Sequence, residues 1–235
     1  MLEEILRSGF SSLSLPLDES ALLRYRQYRD HLAEINEVMN LTAITEEDAV
    51  ANLHFLDSAY LLRLESFGGK KAIDIGTGAG FPGLALKIAC PELSLTLLDS
   101  LDKRIGFLSD TCGILGFSDV SCVHARAEEI PAGFRENYDI ALSRAVARLN
   151  ILCELCLPYV KPGGCFIAMK GPDFDAELEE AKPCIRLLGG KTEKCETYTI
   201  PGTDVTHSAI VIRKISPSPS KYPRRWAQIK KSPLV

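Results

Sequence analysis

Asp74 stands two residues ahead of the run Gly76-Thr77-Gly78-Ala79-Gly80, and Asp99 closes the next apolar stretch, Leu95-Thr96-Leu97-Leu98. Glycines at alternate positions let a backbone turn sharply and approach a ligand with no Cβ in the way. The same run contains Gly78-x-Gly80-x-x-Gly83, which also fits the dinucleotide fingerprint, so the glycines alone leave the ligand open. Asp74 shifts the balance. A carboxylate at the end of the strand before the loop disfavours a pyrophosphate and suits a ligand carrying an ammonium and a sulfonium, S-adenosylmethionine. Asp99, at the end of the next strand, can accept hydrogen bonds from both ribose hydroxyls of either cofactor. A third acid, Glu128, follows His124-Ala125-Arg126-Ala127. It is placed to receive an adenine amino group, while a backbone N–H near Ala127 reaches a ring nitrogen.

The acceptor side is read from Ser143-Arg144-Ala145-Val146-Ala147-Arg148, after the fourth strand. This segment lacks the Asn/Asp-Pro-Pro-aromatic element with which amino-group methyltransferases hold an exocyclic amine. It also lacks the thiol that attack on a cytosine ring requires. An acceptor that needs neither device is a ring nitrogen with a free lone pair, such as guanine N7. Such a group requires no general base, and catalysis rests on proximity, orientation and electrostatics. Arg144 can hydrogen-bond guanine O6 or orient the cofactor, with a salt bridge or phosphate clamp as the alternative. Two rival functions share these residues: an NAD-dependent oxidoreductase using the overlapping fingerprint, and a ribosome-associated RNA-binding factor that keeps the pocket as a scaffold.

These residues must be positioned by a sheet. Short runs that are apolar throughout (Ala72–Ile75, Leu93–Leu98, Val120–His124, Tyr138–Leu142, Cys165–Met169) alternate with helical stretches, which implies a parallel sheet buried on both faces. Pro162-Gly163-Gly164 predicts a turn before the fifth strand. A helix over Phe174–Leu188 and two closing strands, Glu193–Ile200 and His207–Ile215, follow. Ahead of the sheet, residues 1–68 read as a helical cap. Asp18 can cap a helix that buries Leu22, Tyr25, Leu32, Ile35 and Met39, and Thr45-Glu46-Glu47-Asp48 resembles a capping box. Residues 69–215 form the catalytic unit. Ser216-Pro217-Ser218-Pro219-Ser220 should lead a tail, 216–235, out over the surface.

The chain has 235 residues, 46% hydrophobic and 25% charged, which is ordinary for a globular protein. Its net charge of −4 is unevenly spread, because the last 23 residues hold seven basic side chains and no acid. The remainder carries 20 basic against 31 acidic residues, a net −11. The body repels nucleic acid at long range while the tail attracts it. No apolar run suggests a membrane span, and no secretory leader precedes Glu3, so a cytoplasmic location is expected. The eight cysteines then act as small hydrophobes. Cys153-x-x-Cys156 is at most half a zinc site, so no metal is expected.

Taken together, the sequence resembles the bacterial 16S rRNA guanine-N7 methyltransferases, the glucose-inhibited division protein B family. The resemblance rests on Asp74–Gly83, Leu98-Asp99-Ser100-Leu101-Asp102-Lys103-Arg104, Ser143-Arg144-Ala145 and Lys221-Tyr222-Pro223-Arg224, with Asn40–Ile44 and His54–Ser58 upstream. It implies an α/β class I S-adenosylmethionine-dependent methyltransferase (Rossmann-like) fold, a largely parallel seven-stranded sheet with a small N-terminal helical cap. It implies methyl transfer to N7 of a guanine in 16S rRNA, as free RNA or in a small-subunit precursor particle, with no membrane and no obligate protein partner. Cofactor contacts then fall on Gly76, Phe81, Ala127, Glu128 and Arg144, beside Asp74, Gly78 and Asp99. RNA contacts fall on Lys103, Arg104, Arg148, Arg224 and Arg225. Trp226-Ala227-Gln228 departs from the Gly-Thr-Pro-like turn expected there. Trp226 could stack on RNA or pack against the body.

Overall fold

The computed structural model describes residues 1–144 and 147–234. The part of the acceptor-loop expectation that falls on Ala145 and Val146 lies outside the described residues. The chain opens with α1 (Leu2–Ser12) and α2 (Glu19–Met39). Asp18 caps α2, its carboxylate accepting from the Ala21 N–H at 2.7 Å, and α2 buries Leu22, Tyr25, Tyr28 and Leu32. The predicted capping box does not form. The short α3 (Glu47–Val50) starts from Glu46 rather than Thr45 and without a side-chain cap; Asp48 accepts from the Ala49 N–H at 2.8 Å, and Glu47 binds the Leu2 N–H at 2.8 Å and the guanidinium of Arg29. A π-helical turn (Ala51–Leu56) and α4 (Asp57–Ala59) follow directly. Single π turns inside helices recur at functional sites, and this one carries His54.

The sheet is built from β1 (Lys71–Ile75), β2 (Ser94–Asp99), β3 (Val120–His124), β4 (Tyr138–Arg144), β5 (Val160–Lys170), β6 (Gly190–Thr199) and β7 (Thr206–Lys214). Their order is β3-β2-β1-β4-β5-β7-β6, with β7 antiparallel to both neighbours and every other pairing parallel. The helices α5 (Gly83–Ala89), α6 (Asp102–Ile114), α7 (Leu149–Cys156) and α8 (Asp175–Leu187) connect the strands. The sheet therefore separates two cores. On one face the N-terminal helices pack with α5 and α6 through Tyr25, Phe55, Leu84 and Leu108. On the other, α7 and α8 pack through Leu152, Cys156, Phe166 and Ile185. Both cysteines of Cys153-x-x-Cys156 are fully buried, and burial pushes their thiols well up. Among the described residues no cluster of three or more His, Cys, Asp or Glu could hold a metal, and no helix is long and apolar enough to cross a membrane.

Two further expectations are corrected. Pro162-Gly163-Gly164 does not end before the fifth strand but lies inside β5 as an irregularity. The register to β4 jumps from Tyr138↔Val160 to Ile140↔Cys165, and Gly163 takes φ +90°. Gly164 is pressed so closely on the Asp139 carbonyl that any Cβ would collide. The tail does not run free either. Its Tyr222 and the Ile229 of α9 (Trp226–Lys231) are buried in the second core. Arg135 donates to the carbonyls of Tyr222, Ser218 and Pro219 at 2.7, 3.2 and 3.1 Å. The Ser/Pro run breaks the strand, but the carbonyls it leaves without ladder partners find this guanidinium instead.

Candidate active site

In an open parallel sheet, ligands bind beyond the carboxyl ends of the strands where strand order reverses. Here the reversal falls between β1 and β4, and a cavity of about 650 Å³ opens there. Its wall is assembled from successive strand ends: Gly76–Ala79 after β1, Asp99 on β2, Ala125–Glu128 after β3, and Ser143 and Arg144 on β4. Leu41, Thr42 and His54 of the N-terminal segment and Trp226 of α9 complete it.

The glycine loop is held open by its own hydrogen bonds. The N–H groups of Gly76 and Thr77 donate to the Leu98 carbonyl, and that of Gly78 to the Asp99 carboxylate at 3.0 Å. Gly78 sits at φ +61°, and no atom lies within 4 Å of where its Cβ would be. The space beside it is left for a ligand. Asp99 is 2% exposed. It also accepts from the Leu101 N–H at 2.9 Å and from Arg104 at 3.3 Å, which fixes the carboxylate at the cavity wall. Ala127 and Glu128 lie on a short 3-10 turn, and Tyr159 donates its hydroxyl to the Ala127 carbonyl at 2.8 Å.

Asp74 is placed differently from the direct ligand contact expected of it. It is fully buried and is not part of the cavity wall. One carboxylate oxygen accepts from Thr77 Oγ1 and from the Gly83 N–H, each at 2.8 Å, while the other, Oδ1, has no partner. A Cβ at residue 83 would come within 2.8 Å of this carboxylate, so Gly83 is what lets strand and helix close on it. Burial raises the Asp74 pKa to about 6 against the bonds that favour its anion. Asp74 braces the loop from behind.

Arg144 is the centre of a second constellation. It donates to the Leu53 carbonyl at 3.1 Å, to Asp57 Oδ2 at 3.2 Å and to His54 Nδ1 at 3.0 Å, and its guanidinium lies over the Phe81 ring at 5.1 Å. Asp57 is fully buried and also accepts from the Tyr198 hydroxyl at 2.8 Å and His207 Nδ1 at 3.0 Å. Burial, then the Arg144 charge, lowers the His54 pKa to about 3. The imidazole is therefore neutral. With Nδ1 accepting from Arg144, its proton lies on Nε2, which donates to Thr42 Oγ1 at 3.0 Å. His54 also stacks on Phe81, with centroids 4.2 Å apart.

Of the residues expected at the cofactor, Gly76, Gly78, Phe81, Asp99, Ala127, Glu128 and Arg144 line the cavity together and Asp74 stands behind them. Those expected at RNA are scattered. Lys103 and Arg225 are exposed, Arg104 is at the cavity, and Arg148 pairs with Glu180. Arg224 is turned inward onto the fully buried Glu154. Lys170 bonds Glu177 at 2.7 Å and the Ala147 carbonyl, the ion-pair role its type suggests. The Asp57–Tyr198–His207 cluster was not legible in the sequence. His54 and Asp57 share a helical face, but His207 comes from a distant strand with no local motif. Trp226 lies at the cavity wall.

A family model described as rRNA small subunit methyltransferase G matches residues 22–203. The chain is 47% identical over 233 residues to the ribosomal RNA small subunit methyltransferase G of Alkaliphilus metalliredigens (strain QYMF), covering 98% of each. It is 44% identical over 236 residues to the protein of that name from Acetivibrio thermocellus, covering 100% of this chain and 97% of the relative. Among solved structures it is similar to TrmN from Thermus thermophilus, with TM-score 0.54 and 23% identity over 67% of this chain and 48% of that one. It is also similar to M. jannaschii TYW2 in complex with AdoMet, with TM-score 0.55 and 12% identity over 68% and 75%. At these identities the structural likeness speaks for the fold.

Proposed function

Because the chain belongs to the rRNA small subunit methyltransferase G family, we propose that its cavity binds S-adenosylmethionine and that the enzyme methylates N7 of a guanine in 16S rRNA, free or in a small-subunit precursor particle. The observation that carries this reading is the cavity at the strand-order switch. It sets a fixed carboxylate, Asp99, between a Cβ-free loop and a second acid, Glu128. These suit the ribose hydroxyls and the adenine amino group respectively. Bound there, S-adenosylmethionine supplies a sulfonium methyl to the N7 lone pair, and the C–S bonding pair leaves with sulfur.

The chain's own residues fit a reaction without proton abstraction. His54, the one imidazole in the cavity wall, is neutral with both nitrogens engaged, so it orients Arg144 and does not act as a base. Arg144 has only donors to offer. It presents a fixed positive edge that orients the cofactor beside the base, held by three partners and by the Phe81 face. Pre-set donors of this kind need no reorganisation as the reaction proceeds. Residues 1–68 act as a cap contributing Leu41, Thr42 and His54, residues 69–215 carry the cofactor, and the exposed cations of the stretch 216–235, Lys221, Arg225, Lys230 and Lys231, meet phosphates together with Lys103. Mass mapping of nucleosides after incubating the enzyme with S-adenosylmethionine and 16S rRNA tests the reading. 7-Methylguanosine at a single position is expected, and absence of methyl transfer to both free RNA and the small subunit refutes it.

A further inference from the structure

On the other side of Arg144 and His54 lies a second cavity, of about 380 Å³, lined also by Leu53, Met169, Val205 and His207. Resting on the substrate reading above, we propose that this cavity seats the acceptor guanine and that His207, clamped by Asp57, reads its O6 edge and so determines specificity.

Both cavities share Arg144 and His54 as wall, so a base in the second lies next to a cofactor in the first, as in-line transfer requires. Leu53, Met169 and Val205 give apolar surfaces for a flat ring, and His54, Arg144, Lys170 and His207 supply a few polar groups, the usual make-up of a small-ligand pocket. On the edge that carries N7, guanine offers a second acceptor, O6, where adenine offers an amino donor. Once N7 faces the methyl group, the neighbouring substituent is what distinguishes the two purines there. A donor at that point accepts guanine and rejects adenine.

His207 meets that requirement. Its Nδ1 is tied to Asp57 Oδ1 at 3.0 Å, which fixes the ring, and its side chain is 31% exposed at the cavity. A carboxylate bound to one nitrogen favours the doubly protonated ring, whose Nε2 also donates. The groups around it are Asp57 on α4, Arg144 on β4, Tyr198 opposite it on β6, and Lys170 on β5, the last neutralised by Glu177. The hydrogen bond to Asp57 raises the His207 pKa, while burial and Arg144 oppose it. The donating form is therefore present at lower pH and lost as pH rises through that raised value.

The test uses RNA in which the mapped position carries guanosine, inosine or 2,6-diaminopurine. The last keeps N7 and replaces O6 by an amino group. Wild-type enzyme is expected to methylate guanosine and inosine and to reject diaminopurine about tenfold or more. In His207→Ala, guanosine turnover falls by about that factor and diaminopurine turnover does not, so the discrimination collapses. His207→Gln, which keeps a neutral donor, restores part of it and removes the fall of kcat/KM with rising pH. Equal losses on guanosine and diaminopurine, or none, overturn the proposal. Loss of S-adenosylhomocysteine binding by calorimetry in both variants also overturns it, because His207 then only supports the fold. Wild-type N7 methylation with no effect of His207 refutes this inference alone. No methylation by wild-type refutes the substrate reading on which it rests.

Discussion

Replacing Arg224 by Ala separates two roles that its charge alone leaves open, an RNA contact and an anchor for the tail. Arg224 makes three bonds to Glu154. Nε and Nη2 lie at 2.8 and 2.7 Å from the carboxylate oxygens, and the backbone N at 2.9 Å. Glu154 is fully buried and Arg224 23% exposed. Removing one member of a buried pair costs about 3–5 kcal/mol because the other charge is left stranded. The backbone bond survives and Arg224 is partly wet, so the lower end, about 3 kcal/mol, applies. Apart from Arg224, the tail is held by the Arg135 bonds to the Ser218, Pro219 and Tyr222 carbonyls and by the buried Tyr222 and Ile229, the Ile229 side chain contributing roughly 1.5–3 kcal/mol against the entropy of ordering the segment. A loss of about 3 kcal/mol then shifts the ratio of docked to released tail by about a hundredfold. The chain has a single tryptophan, Trp226, so its emission reports this directly. Arg224→Ala should give red-shifted emission, faster proteolysis after residue 216 and weaker S-adenosylhomocysteine binding, with the main unfolding transition little moved. The salt dependence of RNA binding should change by less than the unit of slope expected for loss of one phosphate contact. Unchanged emission and proteolysis, with a slope reduced by about one, would refute the anchoring role and return Arg224 to the RNA.

Asp99→Ala removes a carboxylate fixed at the cavity wall, and loss of a charged hydrogen-bond acceptor worth about 1.5–3 kcal/mol should weaken S-adenosylhomocysteine binding roughly 10- to 150-fold by calorimetry. Arg144→Ala should lower kcat about a hundredfold or more with a smaller effect on unfolding, because Asp57 keeps Tyr198 and His207; full turnover would dismiss its assigned role. Asp74 has its native pKa raised to about 6. Its protonated form therefore adds stability that is complete below the unfolded-state value and lost as pH rises through about 6. Asp74→Asn should flatten the decline in unfolding free energy between roughly pH 4 and 6, and an unaltered pH profile in a denaturant series would contradict this. Wild-type Trp226 emission should respond to S-adenosylhomocysteine even without RNA, and a silent titration with binding proven by calorimetry would remove Trp226 from the cofactor wall.

Periodicity and punctuation carried the sheet, because a strand buried on both faces must be apolar throughout and a parallel neighbour must be reached across a helix. The glycine loop was equally legible: few sequences other than a Cβ-free turn ending at a strand tip satisfy both φ +61° at Gly78 and the close approach at Gly83. The direction in which side chains face was not. Asp74 and Asp99 both follow apolar runs, yet the register sets Asp74 beside Leu97, two residues short of Asp99, so one lies beneath the loop and the other stays at the wall. Thr77 and Gly83 then close over the first. Arg224 looked like any tail cation until the fold brought buried Glu154 against it. The Asp57–Arg144–His207 cluster unites a helix start, a strand end and a late antiparallel strand. Sequence settles the local choices, since those depend on neighbours a few residues away. Which charges meet in a low-dielectric interior depends on partners drawn together only when the sheet is assembled.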